Sequence, residues 1–139
     1  MMKQLISNDD VKSSSDVSKY LQLENKCCKL LRNDEIRFIG IIDPIGNLIS
    51  GGISAGIDLL ETDEKRRQFY MQISLEIHMQ KDFDDTLGKI NYSTANRENI
   101  LIITMPMNDH IILISALPTS SVEHIISELN NLGFFQQGI

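Results

Sequence analysis

Apolar residues recur along this chain in two rhythms, one near every third or fourth position and one at alternate positions, and the switches between them mark the elements. Tyr20, Leu21, Leu23, Cys27, Cys28, Leu30 and Leu31 fall at helical spacing behind Asp16, a good N-cap, and the polar cluster Arg32-Asn33-Asp34 ends them. The spacing predicts a helix over about 16–32. The run 36–43, IRFIGIID, is short, β-branched and apolar on both alternating sets, which predicts a strand buried on both faces and so central in its sheet. Asp43-Pro44-Ile45-Gly46-Asn47 reads as a hairpin turn, with Gly46 free to supply a positive φ. The returning strand, Leu48 to Ile53, is weakened by Gly51 and Gly52 and is expected at a sheet edge.

After a loop over 54–61, Thr62-Asp63-Glu64 starts a capped helix that runs to about Asp82, and Gly88 closes the connection behind it. Three strand-like runs follow, over 89–96, 99–105 and 110–117, with separators of hairpin length. Ser120 or Ser121 then caps a last helix to about Leu132, stopped by Gly133. The predicted order is α-β-β-α-β-β-β-α. It gives an α/β (α+β) fold, a five-stranded antiparallel sheet with helices on both faces. Cover on one face alone does not satisfy runs such as Ile100-Leu101-Ile102-Ile103 and Ile111-Ile112-Leu113-Ile114, which are apolar throughout. Residues 1–15 are polar and read as a mobile leader, 16–133 as one domain, and 134–139 as a short tail.

Composition narrows the role more than it names one. At 139 residues and 42% hydrophobic the chain has the size and apolar share of one globular domain. A formal charge of −6 excludes a nucleic-acid surface, which needs clustered basic residues. Lys65-Arg66-Arg67 is the one basic cluster, and Asp63-Glu64 beside it cancels most of its field. No apolar run approaches the roughly 20 residues of a membrane helix, and the first residues lack the apolar core of a signal peptide, so a cytoplasmic protein is expected.

The order of elements over 16–132 resembles the Roadblock / dynein light-chain type domain, a relative of the longin and profilin-like folds. Its local sign is the first hairpin, FIGIIDPIGNLISGG at 38–52, an apolar strand, a glycine turn and a short second strand. The segments RFIGIIDPIGNLISGG, YMQISLEIHMQKDFDDTLG and ILIITMPMNDHIILIS are also similar to an archaeal family of unknown function, over about 36–116. The resemblance implies a domain that pairs with a second copy through its middle helix and the adjacent third strand. It also implies a small GTPase as the usual partner.

The middle helix carries two apolar stripes, Phe69, Tyr70, Ile73 and Ile77 on one side and Met71, Leu75, Met79 and Phe83 well round the cylinder. An ordinary surface helix needs an apolar face of about 100° or a little more, so one stripe is left over, to be covered either by loops or terminal helices of the same chain or by a partner. Taken with the resemblance, the expected interface of a homodimer is Phe69, Tyr70, Ile73 and Ile77 with Ile90 and Tyr92 of the third strand. The alternative is a small-molecule sensor of PAS or GAF type, with a pocket between sheet and middle helix lined by Phe38, Phe69 and Ile73.

No catalytic residue is nominated, and no cofactor or metal site. Gly51-Gly52-Ile53-Ser54-Ala55-Gly56 is followed by Ile57-Asp58, where a phosphate-binding loop needs lysine and Ser/Thr. His78 and Asp82 share a helix face but make half a metal site, and Glu76, Asp84 and Asp85 read as a solvated acidic helix end. Adjacent Cys27 and Cys28 lack the two-residue spacing of a redox pair and read as plain thiols. His110 and His124 are expected to be ordinary surface groups.

Overall fold

The computed structural model describes residues 2–3, 14–54 and 62–134. Its strands are β1 (Met2–Lys3), β2 (Ile36–Ile42), β3 (Leu48–Ile53), β4 (Ser93–Asn96), β5 (Leu101–Met107) and β6 (His110–Ala116). Its helices are α1 (Ser14–Leu30), α2 (Asp63–Gln80), the four-residue α3 (Asp84–Leu87) and α4 (Val122–Asn131), with a single 3₁₀ turn over Lys81–Phe83. All strand pairings are antiparallel, in the order β1-β3-β2-β6-β5-β4. The five expected strands are present, with the two-residue β1 added beyond β3.

Each face of the sheet has its own core. Ile39, Ile41, Ile103, Met105, Ile112 and Ile114 point to one side, where Leu23, Cys27 and Leu30 of α1 and Ile125 and Leu129 of α4 cover them. Phe38, Ile42, Ile102, Ile111 and Leu113 point to the other, under Tyr70, Ile73 and Ile77 of α2. The registers Ile39↔Ile114 and Ile103↔Ile114 put like-facing residues side by side, so one strand's alternation enforces the next. This is why β2, β5 and β6 are apolar at successive positions.

The hairpin between β2 and β3 is built by Asp43. Its Oδ1 accepts from the backbone N–H groups of Ile45 (3.1 Å) and Asn47 (2.8 Å), and Asn47 Nδ2 donates to Oδ2 at 3.2 Å. Gly46 takes φ +90 as expected, and a Cβ there would stand 2.8 Å from the Met71 backbone, so glycine also lets α2 approach the turn. Ser74 Oγ donates to Pro44 O at 2.7 Å and ties the helix to that hairpin. Thr62 caps α2 and Ser121 caps α4, each side chain accepting from a backbone N–H three residues on.

Four boundaries differ from the sequence expectation. The third strand of the expected five spans four residues rather than 89–96, because Ser93 pairs with Thr104 and an extension to residue 91 would meet Pro106, which has no N–H for a ladder. Strand β5 instead runs through Pro106, paired with Ile111 on its other side. Strand β3 is not an outermost strand, since Met2 and Lys3, part of the expected leader, pair with Ile53 and Gly52. Phe134, first residue of the expected tail, is fully buried under the Lys26 ammonium, which also donates to Gly133 O at 3.3 Å. The rest of the leader before Ser14, the loop over 55–61 and the tail after Phe134 lie outside the described residues.

Cys27 is buried and Cys28 half-buried, and neither is in a disulfide among the described residues. Burial, with Glu24 and Cys28 adding to it, pushes the Cys27 thiol up to about 12. At pH 8 a thiol-specific disulfide reagent is therefore expected to titrate one thiol in the native chain and two in denaturant. Two fast thiols in the native protein would show that α1 is not packed as described.

Candidate interaction surface

Helix α2 lies on the sheet by one side and leaves a second apolar stripe in solvent. At about 100° per residue Tyr70, Ile73 and Ile77 share one side, and Met71, Leu75 and Met79 lie roughly opposite. The first three are buried, Ile73 at 8% exposure, in the core under α2, where the Phe38 and Tyr70 rings stack at 6.3 Å. Leu75 is 62% exposed and Met79 61%, and the line continues through Phe83 to Leu87, 80% exposed, in the short turns after the helix.

The residues of the expected interface divide between the protein's own core and its surface. Tyr70, Ile73 and Ile77 belong to the protein's own core, because the sheet face opposite them is apolar and needs cover. Phe69 packs half-buried at the edge of that core. Ile90 is half-buried and Tyr92 exposed, and both precede β4 rather than lying in it. The apolar stripe left open along this helix and the turns after it is Met71, Leu75, Met79, Phe83 and Leu87, and Leu21, Ile45 and Leu117 are exposed elsewhere. All four residues of β4 are exposed, and β4 has a strand on one side only, so its outer N–H and C=O groups form an open edge among the described residues. The chain passes directly from Leu87 through Tyr92 into that edge, so stripe and edge are consecutive features of one segment.

Several polar candidates have local structural partners. His78 Nδ1 lies 2.6 Å from Ser74 O, one helical turn back. His124 Nε2 pairs with Glu128 at 3.2 Å, and Glu128 also accepts from Asn33 Nδ2, joining α4 to the end of α1. Buried Glu24 accepts from Ser50 Oγ at 3.3 Å. Among the described residues no three ligating side chains come together as a metal site, and no helix is long and apolar enough to cross a membrane.

His110, expected to be ordinary at the opening of its strand, is half-buried. Its Nδ1 is buried with no hydrogen-bond partner among the described residues, and burial lowers its pKa against the opposing pull of Asp43 and Asp109. The unfolded chain therefore binds a proton at His110 more readily than the folded one. Stability from this group is full above the ordinary histidine value of 6.5 and declines as pH falls through it. The melting temperature is expected to drop between pH 7.5 and 5.5, and His110→Gln to flatten that drop. An unchanged slope in the variant would remove His110 as its cause.

The model of a family of unknown function, DUF6659, matches residues 16–133. The chain belongs to that family. The match is longer than the 36–116 over which the sequence showed a likeness. No curated protein matches the DUF6659 chain in sequence. In structure it is similar to the gliding protein MglB from Thermus thermophilus, with TM-score 0.69 and 8% identity over 90% of each chain. It is also similar to a Roadblock/LC7 domain from Streptomyces avermitilis, with TM-score 0.61 and 10% identity over 78% of this chain and 89% of that one. A third likeness is to an MglB in a tetrameric arrangement, with TM-score 0.69 and 8% identity over 91% of each. At such identities the likeness carries the fold, and the fold is that of Roadblock/LC7 domains.

Proposed function

We propose that this DUF6659 chain is a non-catalytic interaction module that works in the cytoplasm as a homodimer and regulates or scaffolds a small GTPase. The observation that carries the dimer is the exposed stripe Met71, Leu75, Met79, Phe83 and Leu87 running into the open edge of β4. Side chains of this size each contribute about 1.5–3 kcal/mol when removed from water, and an unpaired strand edge is satisfied by another strand. A second copy supplies both at once, apolar stripe against apolar stripe and edge against edge, in a two-fold arrangement. The Roadblock fold supports this reading, since the resemblance stated from sequence implies pairing through the same helix and strand.

The GTPase partner rests on the resemblance. Titration calorimetry of the chain with a small GTPase from the same source, loaded with GDP or a GTP analogue, tests it. Binding that prefers one nucleotide state and is weakened by Leu75→Glu with Phe83→Glu supports the proposal. No heat with either state at concentrations of tens of micromolar contradicts it.

A further inference from the structure

On the opposite flank of α2 from the exposed stripe, a cavity of about 550 Å³ opens between the first half of the helix and the sheet. That volume falls within the roughly 300–1,000 Å³ of small-molecule sites. Its floor is the apolar sheet face of Phe38, Ile102 and Leu113, and Phe69 of α2 forms a wall. Ile73, expected there from sequence, packs beneath the helix and does not line it. The remaining character of the cavity is cationic: Lys65, Arg66 and Arg97 stand at its sides, and among the described residues no acidic one lines it.

We infer that this groove binds a small organic anion, its apolar body on the sheet floor and its carboxylate, sulfonate or phosphate head among Lys65, Arg66 and Arg97. The chain carries 19 acidic and 13 basic residues, so three cations around one cavity, only Arg66 of them paired with an acid among the described residues, stand out against the acidic whole. Lys65 and Arg97 are exposed and make no ion pair among the described residues, so neither is positioned by an acid of the fold. Arg66 pairs with Asp63, whose side chain is almost wholly in solvent, and interacts with the Tyr70 side chain. Buried Tyr70 and Ser115 add two hydroxyl-bearing side chains to the lining, beside the amides of Gln68 and Gln72. Charged hydrogen bonds to an anion are the strong kind, and a desolvating floor beside them strengthens both contributions.

The probe is 8-anilinonaphthalene-1-sulfonate, an apolar body with one anionic head, titrated by fluorescence into the full chain. We expect one saturable site per chain. Affinity should fall at least tenfold in Lys65→Glu with Arg97→Glu and stay within twofold in Leu75→Glu with Phe83→Glu. The uncharged N-phenyl-1-naphthylamine should bind at least tenfold more weakly than the sulfonate. Circular dichroism checks that the variants are folded, as the exposure of Lys65 and Arg97 leads us to expect. Equal affinity in the charge-reversed variant, loss of binding in the Leu75 and Phe83 variant, or equal affinity for the neutral dye each overturns the inference. The groove does not depend on the dimer, so a monomeric chain that binds the sulfonate at one site would sink the dimer and leave this site standing.

Discussion

Gly51→Ala is expected to destabilise the protein by about 3 kcal/mol or more, lowering its melting temperature by roughly 10 °C. Gly51 sits in β3 opposite Gly40 of β2 with φ +132, a region closed to side chains on steric grounds. A Cβ there would press on the Ile39 carbonyl oxygen and stand 2.8 Å from Gly40 Cα. Both are backbone atoms of the central strand, which cannot give way without breaking the β2–β3 ladder. Gly88 provides the control. It also has positive φ, +83, but its Cβ would meet nothing within 4 Å, so Gly88→Ala carries conformational strain alone, about 1–3 kcal/mol, without the added clash. Urea denaturation of the two variants side by side checks this. Similar midpoints would mean that the close approach at Gly51 costs nothing.

Leu75→Glu combined with Phe83→Glu is expected to weaken self-association at least about 100-fold while leaving the fold intact. Leu75 is 62% and Phe83 57% exposed, so neither change disturbs the core. If both side chains are buried in a dimer, each removes about 1.5–3 kcal/mol and installs a carboxylate that must be desolvated, and 1.4 kcal/mol is a factor of ten. The stripe already carries Glu76, Asp82, Asp84 and Asp85 nearby, so added negative charge also opposes pairing at low salt. Ile73→Glu would be a poor substitute. Ile73 lies in the core under α2, and a buried carboxylate there unfolds the chain whether or not it dimerises.

The sheet was legible in the sequence because its signals are local. Strand β2 announces its central place by being apolar on both alternating sets, Gly46 announces its turn, and Ser121 its helix. What was hidden depends on tertiary contact. Both stripes of α2 are apolar, and no local rule says which one meets the sheet, so Tyr70, Ile73 and Ile77 looked as available to a partner as Leu75 and Met79. Met2 and Lys3 are too short a segment to show alternation, and they pair with Ile53 and Gly52, some fifty residues away in sequence. The shortening of β4 follows from Pro106, which is on the strand next to it and beyond the reach of any local pattern. The groove was hidden for the same reason. Lys65 and Arg66 read as neutralised by Asp63 and Glu64, and only folding brings Arg97, from the turn after β4, to the same cavity.

Sedimentation equilibrium of the full chain at micromolar concentration, beside the Leu75→Glu, Phe83→Glu variant, tests the interaction module most directly. A wild-type mass of twice 15.8 kDa that falls to the single-chain value in a folded variant agrees with pairing through α2 and β4. A wild-type chain that stays at 15.8 kDa throughout, or a variant that keeps the doubled mass, contradicts it.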